Sequence, residues 1–385
     1  MKRPHIFRTV PPHLLCVIAI LLGALSCLEA APDAAVAPAV QTLPPAKAAA
    51  VDAAVMAEMQ KEQIVGLAIG IIQHGHIVYT KGYGLADREK NVPVTTETMF
   101  RWASCSKPLA AVAALQLAEK GQLDLDADVR KYVPEFPDKG VKITTRELLC
   151  HQSGIVHYAN GQVIVTQKKY AAPHPFTDPV NGLDKFKESP LLFNPGEKFS
   201  YTSYGYLLLS AVVERAGKEK FDAQVQERIA KPLGLASLQP DYHWATIPAR
   251  AAGYILEGAQ VKRSIDTDQS WKWGAGAYIS TVGDFAGFAA GLLHGNLVSK
   301  VTEKEMWTPQ KTSDGKPTDF GLGFEVQVNP AGQLIKAAHD GKQEKTRTRF
   351  VIYPGRDDGV VVMTNSEWVN PGAFTTLIYG ALAKK

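Results

Sequence analysis

Residues 100–108 read Phe-Arg-Trp-Ala-Ser-Cys-Ser-Lys-Pro. An apolar approach, Met99–Ala103, leads into Ser104-Cys105-Ser106-Lys107, a Ser-x-x-Lys. After it Leu109, Val112, Ala113, Leu115, Gln116 and Ala118 give a mostly apolar face that stops before Gly121, so the spacing predicts an amphipathic helix over 104–120. Positions i and i+3 of a helix share a face, so the Ser104 hydroxyl and the Lys107 amine can meet. A serine hydroxyl is a poor nucleophile until a base takes its proton. A lysine can be that base if burial lowers its pKa enough to leave a neutral fraction. The start of a helix also offers free backbone N–H groups and the positive end of the dipole. The same spacing recurs at Ser313-Asp314-Gly315-Lys316, but in a polar Gly/Pro segment that reads as a turn. Taken alone, 104–107 could equally be a helix N-cap beside a surface lysine.

Upstream, residues 51–62 read as a helix, and the apolar runs 66–72 and 77–83 flank Gln73-His74-Gly75-His76 as a β-hairpin. His74 and His76 read as turn residues, with no third metal ligand near them in sequence. From about 122 to 270 the pattern is helices broken by long Gly/Pro/Asn loops, notably 157–199. A helix follows at 281–293. The runs 320–328, 333–338, 346–353 and 358–364 then alternate or are β-branched, before a closing helix at 372–383. Strands at both ends of the chain with helical material between imply an α/β fold of the α+β type. One antiparallel sheet is built from the N- and C-terminal segments and flanked by helices, and a mainly helical subdomain is inserted at about 122–270.

The chain has 385 residues, a formal charge of +4, 45 % hydrophobic and 21 % charged residues. That is a globular composition, without the basic runs or aromatic-basic alternation of a nucleic-acid binder. Lys2, Arg3 and Arg8 precede an apolar run, Leu14–Leu25, and the small-residue segment Ser26–Ala31. This pattern predicts a signal peptide over 1–30 and export to the periplasm or medium. Lipid attachment at Cys27 is a second reading, although Ala24 stands where a lipobox has Leu. Residues 31–50, rich in Ala and Pro, read as a tether, and 51–385 as the folded domain. A signal or lipid anchor is the only membrane link expected. Cys105 and Cys150 are expected as inert buried thiols rather than a bridge.

Four more segments lie in register with the first. They are Leu148–Ile155 (LLCHQSGI), Asn194–Tyr206 (NPGEKFSYTSYGY), Gly274–Phe285 (GAGAYISTVGDF) and His339-Asp340-Gly341. With Phe100–Pro108 they resemble, over roughly residues 52–380, the serine β-lactamase-related and penicillin-binding-protein-like family of class C β-lactamases, D,D-peptidases and esterases. His-Gln-Ser-Gly-Ile-Val-His-Tyr and Tyr-Thr-Ser-Tyr-Gly-Tyr are similar in particular to the mitochondrial serine β-lactamase-like proteins and their bacterial counterparts. The resemblance implies Ser104 as nucleophile, Lys107 as its base and Tyr201 as a proton shuttle. It also implies His339 at the strand edging the site. The backbone N–H groups of Ser104 and of Lys342, next to Gly341, would form the oxyanion hole. Tyr158-Ala159-Asn160 is a literal Tyr-x-Asn and a rival to Tyr201, whose flanks match better. His151 is expected to bond backbone in a turn.

Two departures bear on substrate. Ser203 stands where relatives carry the Asn that binds the substrate amide. After Gly341 the chain continues Lys342-Gln343-Glu344-Lys345-Thr346-Arg347-Thr348-Arg349. The alternating Lys345, Arg347 and Arg349 read either as a solvated outer face with Thr346 and Thr348 inward, or as a basic rim favouring anionic substrates. The resemblance therefore implies a serine hydrolase acting through an acyl-enzyme on small-molecule or peptide esters and amides, with no cofactor and no metal. A true β-lactamase is the alternative, and a penicillin-binding sensor or structural protein with little turnover the alternative of another class.

Overall fold

The computed structural model describes residues 42–383. The expected signal segment, Cys27 and residues 31–41 of the expected tether lie outside them. Helix α1 (Pro45–Lys61) opens on a proline, whose missing N–H would be unbonded there in any case. It starts before residue 51, so the last residues read as tether are helical. Val51, Val55 and Met59 bury one stripe of it. Asp52 docks it by accepting from the Tyr79 and Tyr83 hydroxyls (2.6 and 2.7 Å) and from Lys81 Nζ (2.5 Å). Strands β1 (Gly66–Gln73) and β2 (His76–Asp87) form the expected hairpin. His74 and Gly75 have φ of 51° and 77° at its turn, matching the strand twist. After β3 (Val92–Pro93) and β4 (Phe100–Arg101) comes α2 (Lys107–Glu119). This helix is not amphipathic: every residue from Lys107 to Leu117 is buried, because helices of the middle region cover the side that would otherwise meet water.

The middle region contributes α3 (Thr145–Leu149), α4 (Pro179–Gly182), α5 (Ser203–Gly217), α6 (Phe221–Val225) and α7 (Lys231–Leu233). It also holds strands that periodicity did not announce: β5 (Gln239–Pro240) and the hairpin β6 (Tyr254–Glu257) with β7 (Gln260–Arg263). Next come β8 (Tyr278–Ser280), α8 (Val282–His294), α9 (Lys300–Met306), β9 (Glu325–Val328), β10 (Leu334–Gln343), β11 (Thr346–Tyr353), β12 (Asp358–Thr364) and α10 (Pro371–Ala383).

The main sheet is antiparallel, in the order β3-β2-β1-β12-β11-β10-β9. Its centre joins the two ends of the chain, Leu67 on β1 standing opposite Thr364 on β12. Successive residues of β12 feed opposite cores. Val360 and Val362 pack with Ile69, Ile71, Val351 and the α1 and α10 side chains, whereas Val361 and Met363 join Phe350, Ile352 and the α2 and α8 side chains. Both faces are therefore covered by helices, which is why the strands read as nearly continuous apolar runs. A second sheet, β4-β8-β5, lies at the base of the turn that carries Ser104.

Strands β10 and β11 are tied to that turn. Thr346 Oγ1 donates to Arg101 O (3.0 Å), Thr348 Oγ1 to Trp102 O (2.7 Å) and Cys105 Sγ to His339 O (3.2 Å). Cys105 and Cys150 are both free and buried. A Cβ on Gly341 would fall 2.0 Å from Thr348 Oγ1 and 2.4 Å from Trp102 O, so only glycine lets the strand come this close. Gly341→Ala should lower thermal stability by about 1–3 kcal/mol, the usual cost of forcing extra volume into a packed contact. Gly380→Ala, in α10 with open space around its Cα, should raise it by about 0.5–1 kcal/mol. Thermal denaturation of both variants checks the contrast.

Candidate active site

Ala103–Ser106 form a single 3-10 turn, so the α-helix begins at Lys107 rather than at Ser104. Ala103 has φ 48°, a left-handed conformation that a non-glycine residue adopts at a cost of about 1 kcal/mol or more. Through residues 101–117 everything is buried except Ser104, which is partly exposed. Lys107 is fully buried, its Nζ lying 3.0 Å from Ser104 Oγ, 3.1 Å from Ser203 Oγ and 2.9 Å from the Ala275 carbonyl. The rings of Tyr201 and Tyr206 complete its enclosure, with centroids 4.8 and 5.5 Å away. Among the described residues no carboxylate pairs with it. Burial first, and the charge of Lys272 second, hold its pKa well below the usual lysine range. A neutral amine has two N–H donors and one lone pair. In that neutral form Ser203 and the Ala275 carbonyl would take the two donors and leave the lone pair for the Ser104 hydroxyl.

Tyr201 is placed from two sides. Thr202 caps α5, its Oγ1 accepting from Gly205 N–H (3.1 Å) and donating to Val156 O (2.7 Å). His151 is fully buried. Its Nδ1 accepts from Thr202 N–H (3.1 Å) and its carbonyl from Ser200 N–H (2.8 Å), so it bonds backbone, and its ring lies 4.3 Å from that of Tyr201. The Tyr201 hydroxyl stands close to the Ser104 side chain, and burial pushes its pKa upward. Tyr158 also lines the cleft, but its hydroxyl stands close to Ser203 instead. Asn160, the other half of the literal Tyr-x-Asn, donates to Ser200 Oγ (3.0 Å) and is absent from the cleft lining. Ser203 begins α5 and takes its N–H to His157 Nδ1 (3.2 Å). Its hydroxyl is engaged by Lys107 and Tyr158.

The opposite wall is β10. Strand β9 pairs with it only as far as Ala338, which leaves the edge from His339 onward open beside Ser104. His339 is buried, and its Nδ1 lies 2.7 Å from Asp340 O. A carbonyl can only accept, so Nδ1 carries the proton and Nε2, which has no partner, presents a lone pair. Burial pushes its pKa down to about 3, so at neutral pH this position supplies an acceptor and no cation. Lys342 lines the cleft as well, a space of about 540 Å³ that Ser104, Tyr158, Tyr201, Ser203 and His339 share.

The basic row does not act as a unit. Thr346 and Thr348 point inward, as the outer-face reading has it. Lys345 lies in the turn before β11, at φ 69°, and pairs with Asp266 (2.5 Å). Arg349 pairs with Asp340 (2.5 Å) and approaches Glu325 (3.8 Å). Arg347 alone lines the cleft, donating to the carbonyls of Gln343 and Thr346 (2.8 and 2.7 Å). Lys316 sits in an exposed turn paired with Asp314 (2.6 Å), so the second Ser-x-x-Lys holds no site. The sequence reading missed Lys272, His157 and Glu344, which also line the cleft. The polar-aromatic run Ser270-Trp-Lys-Trp just ahead of the fourth motif was the available signal for Lys272.

The sequence profile described as Beta-lactamase matches residues 51–384. The chain is 31 % identical over 324 residues to the mitochondrial serine beta-lactamase-like protein of Homo sapiens, covering 63 % of this chain and 59 % of that one. It is 33 % identical over 197 residues to Esterase EstB of Burkholderia gladioli, covering 49 % and 50 %. The chain thus spans less than two thirds of the length of these curated relatives. The octameric penicillin-binding protein homologue from Pyrococcus abyssi shares the fold with a TM-score of 0.71 at 24 % identity, over 86 % of this chain and 76 % of that one.

Burial keeps three histidines of the site neutral: His151 well below the ordinary range, His157 at about 4 and His339 at about 3. Each pKa is lower in the folded than in the unfolded chain, where it is about 6.5. Their stabilisation is therefore complete above pH 6.5 and lost as pH falls toward 3. Calorimetry from pH 7 to 4 should show a falling Tm. His157→Gln, which removes one titrating ring, should show a smaller fall than wild type.

Proposed function

The chain belongs to the β-lactamase family, and we propose that it is a serine hydrolase forming a covalent acyl-enzyme from ester or amide substrates, as a peptidase or esterase rather than an efficient β-lactamase. The observation that carries this reading is the buried Lys107, whose Nζ lies 3.0 Å from Ser104 Oγ with no carboxylate paired to it among the described residues. Ser104 Oγ attacks the carbonyl carbon and its proton passes to Lys107 Nζ. The oxyanion then lies between the backbone N–H groups of Ser104 and Lys342. Tyr201, kept protonated by its raised pKa, gives its proton to the leaving group, and the proton collected by Lys107 restores it. Water, activated by the same amine, releases the acyl group from Ser104. His339 Nε2 is placed to accept a hydrogen bond from the substrate or from Tyr201.

Ser203 is the reason for preferring simple esters. Its hydroxyl is shorter than an asparagine amide and already engaged by Lys107 and Tyr158. An acyl-side carbonyl therefore lacks a donor, at a cost of about 1–3 kcal/mol, or about ten- to a hundredfold in rate. Export by residues 1–30 belongs to the same proposal and rests on their sequence pattern.

Ser104→Ala should abolish both turnover and the acyl adduct seen by intact mass after exposure to a fluorescent penicillin. An adduct mapped to Ser106 or Ser313 would overturn the assignment. Tyr201→Phe should lower kcat by about 10²–10⁴, and Tyr158→Phe by less than tenfold. Wild type should favour a p-nitrophenyl ester over nitrocefin, and Ser203→Asn should narrow the gap. Nitrocefin turnover equal to that of the ester would make the chain a true β-lactamase. A persistent adduct without turnover would make it a sensor.

A further inference from the structure

Lys272 belongs to the short turn Ser270–Ala275, whose last residue gives its carbonyl to Lys107. The turn is anchored through Trp273, which has φ 43° and ψ −130°, is almost fully buried, and donates from Nε1 to Phe176 O (2.8 Å). Gly274 N–H donates to Ser210 Oγ (3.1 Å). A strained residue held this firmly fixes its neighbour, and Lys272 is thereby turned into the cleft that Ser104 opens on. The residue keeps only 9 % of its exposure. Its Nζ lies 5.1 Å from the Tyr158 ring centroid and 5.5 Å from that of Trp271. Among the described residues it has neither a hydrogen-bond acceptor nor an ion-pair partner. Burial, offset in part by Glu344, brings its pKa down to about 8, so it is still charged at neutral pH.

A charge this enclosed calls for a counter-ion, and among the described residues it has two ring faces in contact and Glu344 acting only from beyond hydrogen-bond distance. The other cleft cations are differently placed. Arg347 is bonded to two backbone carbonyls, and Lys342 is exposed to solvent. The two ends of the cleft also differ. Tyr201 faces His339, and behind it stand Asp340 and Glu325 with Arg349 between them. The leaving group departs beside Tyr201, toward that acidic end. From Ser104 the other way run Ser203, Tyr158 and Lys272, with Glu344 as the carboxylate that acts on Lys272.

We propose that Lys272 binds a carboxylate on the acyl portion of the substrate, so that the site selects esters or amides of acidic acyl groups such as a dicarboxylic half-ester. This deepens the hydrolase reading and rests on it for the direction of the leaving group. The same ammonium, with a carboxylate against it, would close the end of the cleft between Tyr158 and Trp271.

The test compares p-nitrophenyl glutarate with p-nitrophenyl valerate, which share a chain length and leaving group and differ in the terminal carboxylate. Wild type should favour the glutarate in kcat/KM by about 10–100-fold, the worth of one charge-assisted hydrogen bond. Lys272→Met should remove that preference, and Lys272→Arg should retain part of it. If Lys272→Met lowers both esters by the same factor, the lysine serves Lys107 or the fold, and the proposal is overturned. Calorimetric binding to Ser104→Ala separates this inference from the hydrolase reading. Glutarate ester bound about 10–100-fold tighter than valerate ester, with the difference lost in Ser104→Ala/Lys272→Met, supports Lys272 even if wild type turns over neither. Equal binding of the two esters overturns it.

Discussion

The contact on which the site depends is the bonding of residues 101–105 to strands β10 and β11. Two threonine hydroxyls, one thiol and the bare Cα of Gly341 bring the strand edge against the backbone of Arg101 and Trp102. Ala103 holds its left-handed conformation beside a residue fixed at both backbone and ring, Trp102 donating from N–H to Tyr278 O (2.8 Å) and from Nε1 to Ser280 Oγ (2.7 Å). That conformation turns Ser104 outward from an otherwise buried segment. Without the clamp a relaxed Ala103 would swing the hydroxyl away from both Lys107 and the open edge of β10.

Burying an amine is costly, and the lowered pKa of Lys107 favours its uncharged form. Lys107 meets two hydroxyls and one carbonyl, a set that satisfies the neutral amine and gives an ammonium no negative charge. A carboxylate at the Ser203 position would reverse this by making the ammonium the favoured form. His339 follows the same logic, since its proton is committed to a carbonyl on Nδ1. The polar groups nearest Ser104 are thus uncharged, while the charges of the cleft stand further out.

The sequence reading reached the architecture because the long elements carry their own periodicity. The 66–83 hairpin is defined by its turn, β12 by a β-branched run apolar on both faces, and β10 and β11 by stretches that alternate or are β-branched. Strands β4, β5 and β8 have two or three residues and exist only by pairing with distant segments, so no local pattern reveals them. The first and last motifs brought Ser104, Lys107 and His339 to one place, and the third brought Tyr201. Lys272 stayed hidden because its meaning depends on Tyr158 and Trp273, and its neighbourhood is set by a tertiary contact with Phe176. Of the basic row, Arg347 and Arg349 alternate on β11 and Lys345 lies in the turn before it. The row's counter-ions at Asp266 and Asp340 were invisible, since which acid meets which base is decided across the fold.

The pairing of β1 with β12 has a consequence in time. Leu67 and Thr364 are partners from nearly opposite ends of the described chain, and contacts of such sequence separation form late and slowly. A growing chain contains Ser104 and Lys107 long before Thr346, Thr348 and the strand edge at Gly341 exist. Lys107 stays open to water until Tyr201, Ser203, Tyr206 and Ala275 cover it, and in water a lysine is protonated at neutral pH. The proposed chemistry needs that cover first and the strand edge after it.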